Sequence, residues 1–174
     1  MITLKGQHIF LRALEPEDLD FLFSVENDEI FWEVSNTQVP FSKYILEQYL
    51  LNSYKDIYEA KQLRLVLSDY KNQPLGLIDL FDFDAKNKRA GIGILIHKEA
   101  NRNKGYGKEA LHLLVNYAFH QLDLHQIYCN ISVDNSSSLK LFKSEGFEVV
   151  GLIKDWNSFQ GNYKDVYFLQ KINN

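Results

Sequence analysis

Short apolar or alternating stretches, bounded by polar turn residues, predict about seven β-strands along this chain. The second, third and fourth are joined by short polar turns, and this spacing predicts an antiparallel meander. The predicted strands are residues 8–14, 63–68, 74–83, 90–96, 126–133, 147–153 and 163–170.

Four other stretches repeat their apolar residues at helical spacing. The first follows Pro16, which suits the first turn of a helix. The second starts at Ser42 and places Ile45, Tyr49 and Leu50 at helical spacing. A long third helix and a short fourth one, closed by a glycine, follow in the second half of the chain. Because the third helix crosses between neighbouring strands, those two strands are expected to be parallel.

The order of these elements predicts the α/β fold class. We expect a single mixed, twisted β-sheet of about seven strands flanked by about four helices, two of them N-terminal between the first and second strands. The chain of 174 residues has no linker, repeat or break in composition, so residues 1–174 are predicted to form one domain.

Composition narrows the class of protein. A formal net charge of −4 gives no support for nucleic-acid binding. Cys129 is the one cysteine in the sequence, which excludes an internal disulfide and favours a reducing compartment. No stretch approaches ~18 uninterrupted apolar residues, and the N-terminus has no apolar leader region. We therefore expect a cytoplasmic protein with no membrane partner.

Two glycines and several basic residues stand where a strand ends and the long helix begins. Gly105 and Gly107 let backbone N–H groups converge on an anion at the helix N-terminus, and Arg102, Lys104 and Lys108 add positive charge. This arrangement predicts a phosphate or pyrophosphate site. The alternative is a solvated loop in which the glycines only make the turn. The spacing matches neither the dinucleotide fingerprint nor the P-loop.

Two motifs carry a resemblance to a known family. The loop "RNKGYG" resembles the acyl-CoA pyrophosphate loop of the GCN5-related N-acetyltransferases, the GNAT superfamily. The later segment "VDNSSSLKLFKSEGF" is similar to the second cofactor-side helix of that family. The order of strands and helices resembles the GNAT fold over essentially the whole chain. The stretches "LRALEPEDL" and "GNYKDVYFLQ" look most like spermidine acetyltransferases and ribosomal-protein N-terminal acetyltransferases.

The resemblance implies acetyl-CoA as the co-substrate. It implies that backbone N–H groups of the loop hold the pyrophosphate, and that the edge of the central strand pairs with the pantetheine arm. A bulge near Gly93 is expected to open the cofactor slot. Asn135 is expected at the cofactor or amine side, although it can also cap its own helix. The implied cofactor residues are Ile94, Leu95, Ile96, Arg102, Asn103, Lys104, Gly105, Tyr106, Gly107, Lys108, Asn135, Ser138 and Phe142.

Acetyl transfer needs a neutral amine, a polarised thioester carbonyl and a proton for the departing thiolate. A backbone N–H near Leu95 or Ile96 is the predicted polarising group, and no covalent enzyme intermediate is required. Cys129 is accordingly interpreted as a core residue.

Two positions depart from the pattern that the resemblance implies. Phe142 stands where many relatives carry a tyrosine proposed as the acid, and Gly91 stands where spermidine enzymes tend to carry a glutamate. The replacement acids suggested by the sequence are Tyr128, Tyr163 and Tyr106. The residues assigned to catalysis are Asp82, Leu95, Asn135 and Tyr128.

Three acids on the third predicted strand are candidates for contacting the amine. Alternation places Asp82 and Asp84 on the face of Leu80, and Asp79 on the other face with Phe81 and Phe83. Asp82 is the first choice, because it matches by position an acidic residue in the acceptor cleft of spermidine enzymes. The alternative is a partly solvated strand with no such role.

Trp32 and Glu33, in the loop between the first two helices, are predicted to line the same acceptor cleft, together with Asp79 and Asp82. Thr37 and Gln38 follow where the polyamine enzymes are acidic, and this disfavours a polyamine. The acceptor therefore stays open between a small amine, a polyamine, an amino sugar and a protein or peptide N-terminus.

The five histidines show no metal-binding spacing, so no metal is predicted. A catalytically weak acyl-CoA-binding module, with a regulatory or interaction role, is the rival hypothesis, which Phe142 and Gly91 favour. The resemblance also implies a possible homodimer.

Overall fold

The computed structural model describes residues 3–174, which form one sheet of seven strands in the order β1-β2-β3-β4-β5-β7-β6. Strands β4 and β5 are parallel and all other neighbours are antiparallel. The predicted fold class, meander and parallel pair are therefore confirmed. The strands are β1 (Ile9–Arg12), β2 (Leu63–Asp69), β3 (Pro74–Asp84), β4 (Arg89–Ile96), β5 (Gln126–Ser132), β6 (Glu148–Phe159) and β7 (Asn162–Ile172).

Six α-helices occur in the described residues, four of them between β1 and β2, where two were predicted. The two additional helices are single turns of four residues, too short to show a helical repeat in the sequence. The helices are α1 (Leu19–Glu26), α2 (Trp32–Ser35), α3 (Lys43–Leu51), α4 (Ile57–Ala60), α5 (Tyr106–His120) and α6 (Ser136–Ser144).

Each face of the sheet packs against its own pair of long helices. On one face, Leu114 of α5 and Phe142 of α6 pack with Ile127 of β5. On the other face, Leu22 of α1 and Leu46 of α3 form a smaller core. The central strands are therefore covered on both sides, as expected for a sheet that contains a parallel pair.

Helix α3 packs two of its three predicted apolar residues against the core. Leu46 is buried, while Ile45 is half-exposed. Tyr49 and Leu50 pack against the smaller core as predicted. Ile45, the third residue at that helical spacing, does not pack with them.

Strand β3 contains a bulge that breaks its alternation. Phe81 pairs with Gly91, but the next pair joins Asp84 to Arg89, so β3 carries one extra residue. Asp82 takes the left-handed conformation at φ 48° and is exposed, whereas Phe83 is buried in the larger core. The prediction that Asp82 shares the face of the buried Leu80, and Phe83 the opposite one, is therefore wrong.

The central strand β4 is regular where a bulge was expected. Gly93 pairs with Asp79 in unbroken register between Ile92 and Ile94. The predicted bulge at Gly93 is wrong, and the bulge lies on β3 instead.

No helix in residues 3–174 is long and apolar enough to cross a membrane. The prediction of one domain over residues 1–174 includes residues 1 and 2, which lie outside the described range, and it stays a prediction.

Candidate active site

Strands β4 and β5 separate soon after they pair. Their parallel register covers only three residues of each strand and ends where Gly91 faces Tyr128. Beyond that pair β5 continues alongside β7, and its register with β7 runs to Ser132. The edge of β4 from Ile92 to Ile96 therefore faces a gap in the middle of the sheet.

Backbone groups of alternate β4 residues face this gap. His97 donates its N–H to the carbonyl oxygen of Leu75, 3.0 Å away. The Leu95 carbonyl oxygen also faces β3, since a Cβ built on Gly76 would stand only 2.1 Å from it. Because neighbouring residues of a strand point their backbone groups to opposite sides, those of Ile94 and Ile96 face the gap. Of the two predicted polarising groups, Ile96 faces the gap and Leu95 faces β3.

The gap opens into a cavity of about 350 Å³ that reaches from α6 to α2. Five of the predicted site residues line it, together with several that the sequence analysis did not select. The lining residues are Glu33, Val34, Ile92, Gly93, Ile94, Cys129, Asn130, Ile131, Ser132, Asp134, Asn135, Ser138, Phe142, Asn157 and Lys164.

The glycine loop lies at the far end of the gap. Gly105 is the residue before α5 and takes the left-handed conformation, φ 82°, with open space around its Cα. Asn103 is also left-handed, at φ 58°, and Lys104 and Lys108 are exposed beside it. The loop thus presents backbone N–H groups and two exposed lysine side chains at the N-terminus of a helix of 15 residues.

Arg102 takes a structural position rather than pointing into the loop. Its Nε and Nη2 each donate to a carbonyl oxygen at the end of β4, those of Ile96 and His97, at 3.3 Å. Its guanidinium also lies 5.5 Å from the centre of the Phe31 ring. The side chain of Arg102 therefore ties the loop to the end of β4. The positive charge at the loop itself comes from Lys104 and Lys108.

Tyr106 and Gly107, in the first turn of α5, face the interior. Tyr106 packs against the larger core. A Cβ on Gly107 would be 3.6 Å from Leu141 and 3.9 Å from Ile94, which are ordinary contact distances. Close packing therefore does not require glycine at 107.

Asn135 and Phe142 form the α6 side of the cavity. The Asn135 side chain accepts the N–H of Ser138 at 3.1 Å and caps the helix. Phe142 is 3% exposed and its ring packs edge-on against Phe147 at 5.1 Å. The capping role of Asn135 is thus observed. Contacts of Asn135, Ser138 and Phe142 with a ligand stay predictions.

Cys129 lies in the wall of the cavity on β5. Burial raises the pKa of its thiol to about 12. A raised pKa favours the protonated form, so the thiolate that a nucleophile requires is scarce near neutral pH. This agrees with the interpretation of Cys129 as a core residue.

Tyr128 and Asp82 stand at the point where β4 and β5 separate. The Tyr128 ring stacks on Phe168 at 5.5 Å and meets Phe81 edge-on at 6.3 Å. Burial raises the pKa of Tyr128, and the nearby carboxylate of Asp82 raises it further. The hydroxyl is therefore protonated at neutral pH. Neither residue lines the cavity itself.

Gly91, which pairs with Tyr128, has no room for a side chain while the Phe81 ring stays in place. A Cβ on Gly91 would stand 2.2 Å from Cε2 of the Phe81 ring. The missing glutamate at this position is therefore explained by packing against Phe81.

The predicted acceptor residues do not come together. Glu33 lines the cavity, but Trp32 donates its indole N–H to the carbonyl oxygen of Glu26 at 3.0 Å and lies outside it. Asp79 accepts two hydrogen bonds from Arg64, at 2.8 and 3.0 Å. Burial opposes the charge of Arg64, but the attraction of Asp79 outweighs it and the pKa of Arg64 is raised. Asp79 thus belongs to an ion pair between β2 and β3.

Lys164 of β7 is the main residue that sequence reasoning missed. Its Nζ donates to Oε1 of Glu33 at 2.5 Å and lies 2.8 Å from Oδ2 of Asp134. The hydrogen bond to Asp134, followed by that to Glu33, raises the pKa of Lys164, and the same contact lowers the pKa of Asp134. The one hint in the sequence is a lysine on the strand that follows the last turn.

No group of three or more potential metal ligands is close together in residues 3–174. His112 lies 3.2 Å from a carboxylate oxygen of Glu145, and His120 lies 2.9 Å from the carbonyl oxygen of Asn116. The absence of a metal stays a prediction.

The cavity and loop fit the predicted co-substrate, acetyl-CoA. Backbone groups of Ile94 and Ile96 suit an amide-containing arm, and the glycine loop suits a pyrophosphate. Ser132 Oγ is buried in the cavity wall with no hydrogen-bond partner among the described residues. A bound ligand would supply the partner that this hydroxyl lacks.

Comparisons with known proteins agree with this geometry. Residues 8–148 match the family model described as Acetyltransferase (GNAT) domain. The chain is 28% identical over 171 residues to spermidine N(1)-acetyltransferase of Vibrio cholerae, covering 95% of each chain. It is 27% identical over 177 residues to YdaF of Bacillus subtilis, named as a proposed ribosomal N-acetyltransferase, covering 97% and 93%. The dodecameric structure of spermidine N-acetyltransferase from Vibrio cholerae superposes with a TM-score of 0.80 at 27% identity, covering 96% and 95%.

Proposed function

This chain belongs to the GNAT acetyltransferase family, and on that premise we propose that it transfers acetyl directly from acetyl-CoA to a primary amine entering between α2 and β7. Enzymes of this family use acetyl-CoA, so the co-substrate follows from membership. The observation that carries the proposal is the separation of β4 from β5 after Gly91, which opens a cavity through the sheet. The rival hypothesis of a catalytically weak module is disfavoured by this membership.

The co-substrate is proposed to enter from the glycine loop. Backbone N–H groups around Gly105 hold the pyrophosphate, with Lys104 and Lys108 adding charge. Backbone groups of Ile94 and Ile96 then hydrogen-bond the pantetheine arm. This direction places the reacting end inside the cavity, between the glycine loop and the closed end of the gap where Tyr128 stands.

Direct transfer requires three contributions from the protein. The backbone N–H of Ile94, a residue that lines the cavity, polarises the thioester carbonyl while the neutral amine attacks its carbon. The carbon–sulfur bond breaks, the amine loses a proton to solvent, and the departing thiolate gains one. We assign that second proton to Tyr128, because its hydroxyl is protonated and the residue pairs with Gly91 at the closed end of the gap. The Tyr128 phenolate then regains a proton from solvent water, and the Asp82 carboxylate beside it is proposed to orient that water.

The acceptor is a primary amine, and two observations bear on its class. The similarity to spermidine N(1)-acetyltransferase over 95% of the chain favours a polyamine as the second candidate. The acidic residues that line the cavity, Glu33 and Asp134, are already paired with Lys164, and this pairing disfavours a polyamine. An amino sugar or a peptide N-terminus remains within the proposal.

An acceptor screen tests the proposed function. Release of the coenzyme A thiol is measured with acetyl-CoA and a panel of polyamines, amino sugars, small monoamines and N-terminal peptides. We expect amine-dependent thiol release, and a mass increase of one acetyl group on the acceptor. Tight acetyl-CoA binding without release for any amine would contradict the proposal and support the acyl-CoA-binding module.

A homodimer is proposed through the edge strand β6. This strand ends the sheet and exposes apolar side chains along its length, including Val150, Leu152 and Trp156. An unpaired apolar edge favours pairing with another chain. The similar structure from Vibrio cholerae is dodecameric, which supports assembly. Light scattering is expected to give at least twice the monomer mass, and a monomer at micromolar concentration would contradict this.

A further inference from the structure

Lys164 occupies the acceptor end of the cavity with its charge already satisfied. Its ammonium contacts Glu33 of α2 and Asp134 at the start of α6, at 2.5 and 2.8 Å. It also lies 5.4 Å from the centre of the Phe159 ring. Three separate elements therefore hold one side chain in a defined place, about three-quarters buried.

The two carboxylates bound by Lys164 are the only acidic side chains among the cavity-lining residues. A polyamine carries a second ammonium group, which needs an anionic partner once its reacting nitrogen is at the thioester. Binding such an acceptor here requires that the second ammonium share a carboxylate with Lys164, which brings two positive charges together.

A neutral or anionic group on the acceptor meets no such conflict. A hydroxyl, an amide or a carboxylate can accept a hydrogen bond from the Lys164 ammonium, which has three N–H donors and uses two of them here.

We propose that Lys164 sets the acceptor class of this enzyme, selecting monoamines with a neutral or anionic neighbouring group over polyamines. The inference rests on the proposed function, because it concerns the acceptor of that same site. It makes Lys164 a specificity residue, and it assigns to Glu33 and Asp134 the role of holding Lys164 in position.

The experiment compares three acceptors with the same four-carbon chain: a terminal diamine, a terminal amino alcohol and a terminal amino acid. For each we measure kcat/KM with the wild type, with Lys164→Met and with Lys164→Arg. Lys154→Met is the control, because Lys154 is an exposed lysine on the neighbouring strand β6. Binding of the three compounds to the protein loaded with coenzyme A is measured by calorimetry in parallel.

In the wild type we expect the diamine to be the poorest of the three acceptors. In Lys164→Met we expect kcat/KM for the diamine, divided by kcat/KM for the amino alcohol, to rise at least about fivefold. This is the size expected for one partly exposed charge interaction. Lys164→Arg and Lys154→Met keep the wild-type ratio. Equal ratios in Lys164→Met and the wild type, or a wild type that favours the diamine, would overturn the inference. Absence of transfer to every amine would instead contradict the proposed function. The ratios of the affinities measured by calorimetry would still decide the role of Lys164.

Discussion

Gly105→Val is expected to lower the affinity for acetyl-CoA at least about tenfold, a loss of ~1.4 kcal/mol or more. Gly105 has φ 82°, a conformation that valine adopts only with strain, so the loop must change shape. The open space around its Cα is where an anion has to approach the N–H groups, and the valine side chain would occupy that space. Isothermal calorimetry with acetyl-CoA measures the change.

The fold offers a matched control for this substitution. Gly161, in the turn between β6 and β7, has φ 78° and the same open surroundings. Gly161→Val therefore introduces the same backbone strain far from the loop, and we expect comparable loss of stability with unchanged affinity. Gly107→Ala, with only ordinary contacts around the new methyl group, should keep most of the binding. Full affinity in a folded Gly105→Val variant would show that the pyrophosphate binds elsewhere.

Phe142→Ala is expected to reduce the free energy of unfolding by ~3–5 kcal/mol, the range for removing a buried aromatic ring. Phe142 is almost fully buried, packs against Phe147 and also forms part of the cavity wall. Urea unfolding measures the loss. Phe10→Ala is the control, because Phe10 is only partly buried beside Tyr70, and it should cost clearly less. A loss for Phe142→Ala no larger than for Phe10→Ala would contradict the structural role.

Substitution at position 142 also tests which group gives the departing thiolate its proton. Phe142→Tyr keeps the ring and adds one hydroxyl at the cavity wall. If Tyr128 supplies the proton, kcat should change little in Phe142→Tyr and fall about tenfold in Tyr128→Phe. This is less than the ~10²–10⁴-fold of general acid catalysis, because a thiolate leaves readily. A clear rise in Phe142→Tyr with no change in Tyr128→Phe would show that the thiolate leaves unassisted in the wild type.

The regular part of the fold was predictable because it depends on local periodicity. Six of the seven strands lie within a few residues of their predicted bounds, and helices α5 and α6 are the predicted long third and short fourth helices. Strand β6 is the exception, since it continues to Phe159 after its apolar alternation ends at Ile153. Its last residues are held by pairing with β7, a cause that lies outside the segment itself.

The errors occur where one residue changes its backbone or where distant segments meet. The left-handed Asp82 shifts the side-chain pattern of β3, and an aspartate gives no sign of that conformation in a single sequence. Lys164 and Glu33 are 131 residues apart, so their contact exists only after β7 and α2 are in place. The glycine loop was found because its chemistry is contained in seven consecutive residues.

The contact between Gly91 and Phe81 also constrains how this enzyme can diverge. A side chain at 91 collides with the ring at 81, whereas a smaller residue at 81 leaves glycine at 91 undisturbed. A lineage starting from this sequence can therefore acquire an acidic residue at 91 only together with a shift or loss of the aromatic ring at 81. The two sites are epistatic, because the packing of one pair of neighbouring strands couples them.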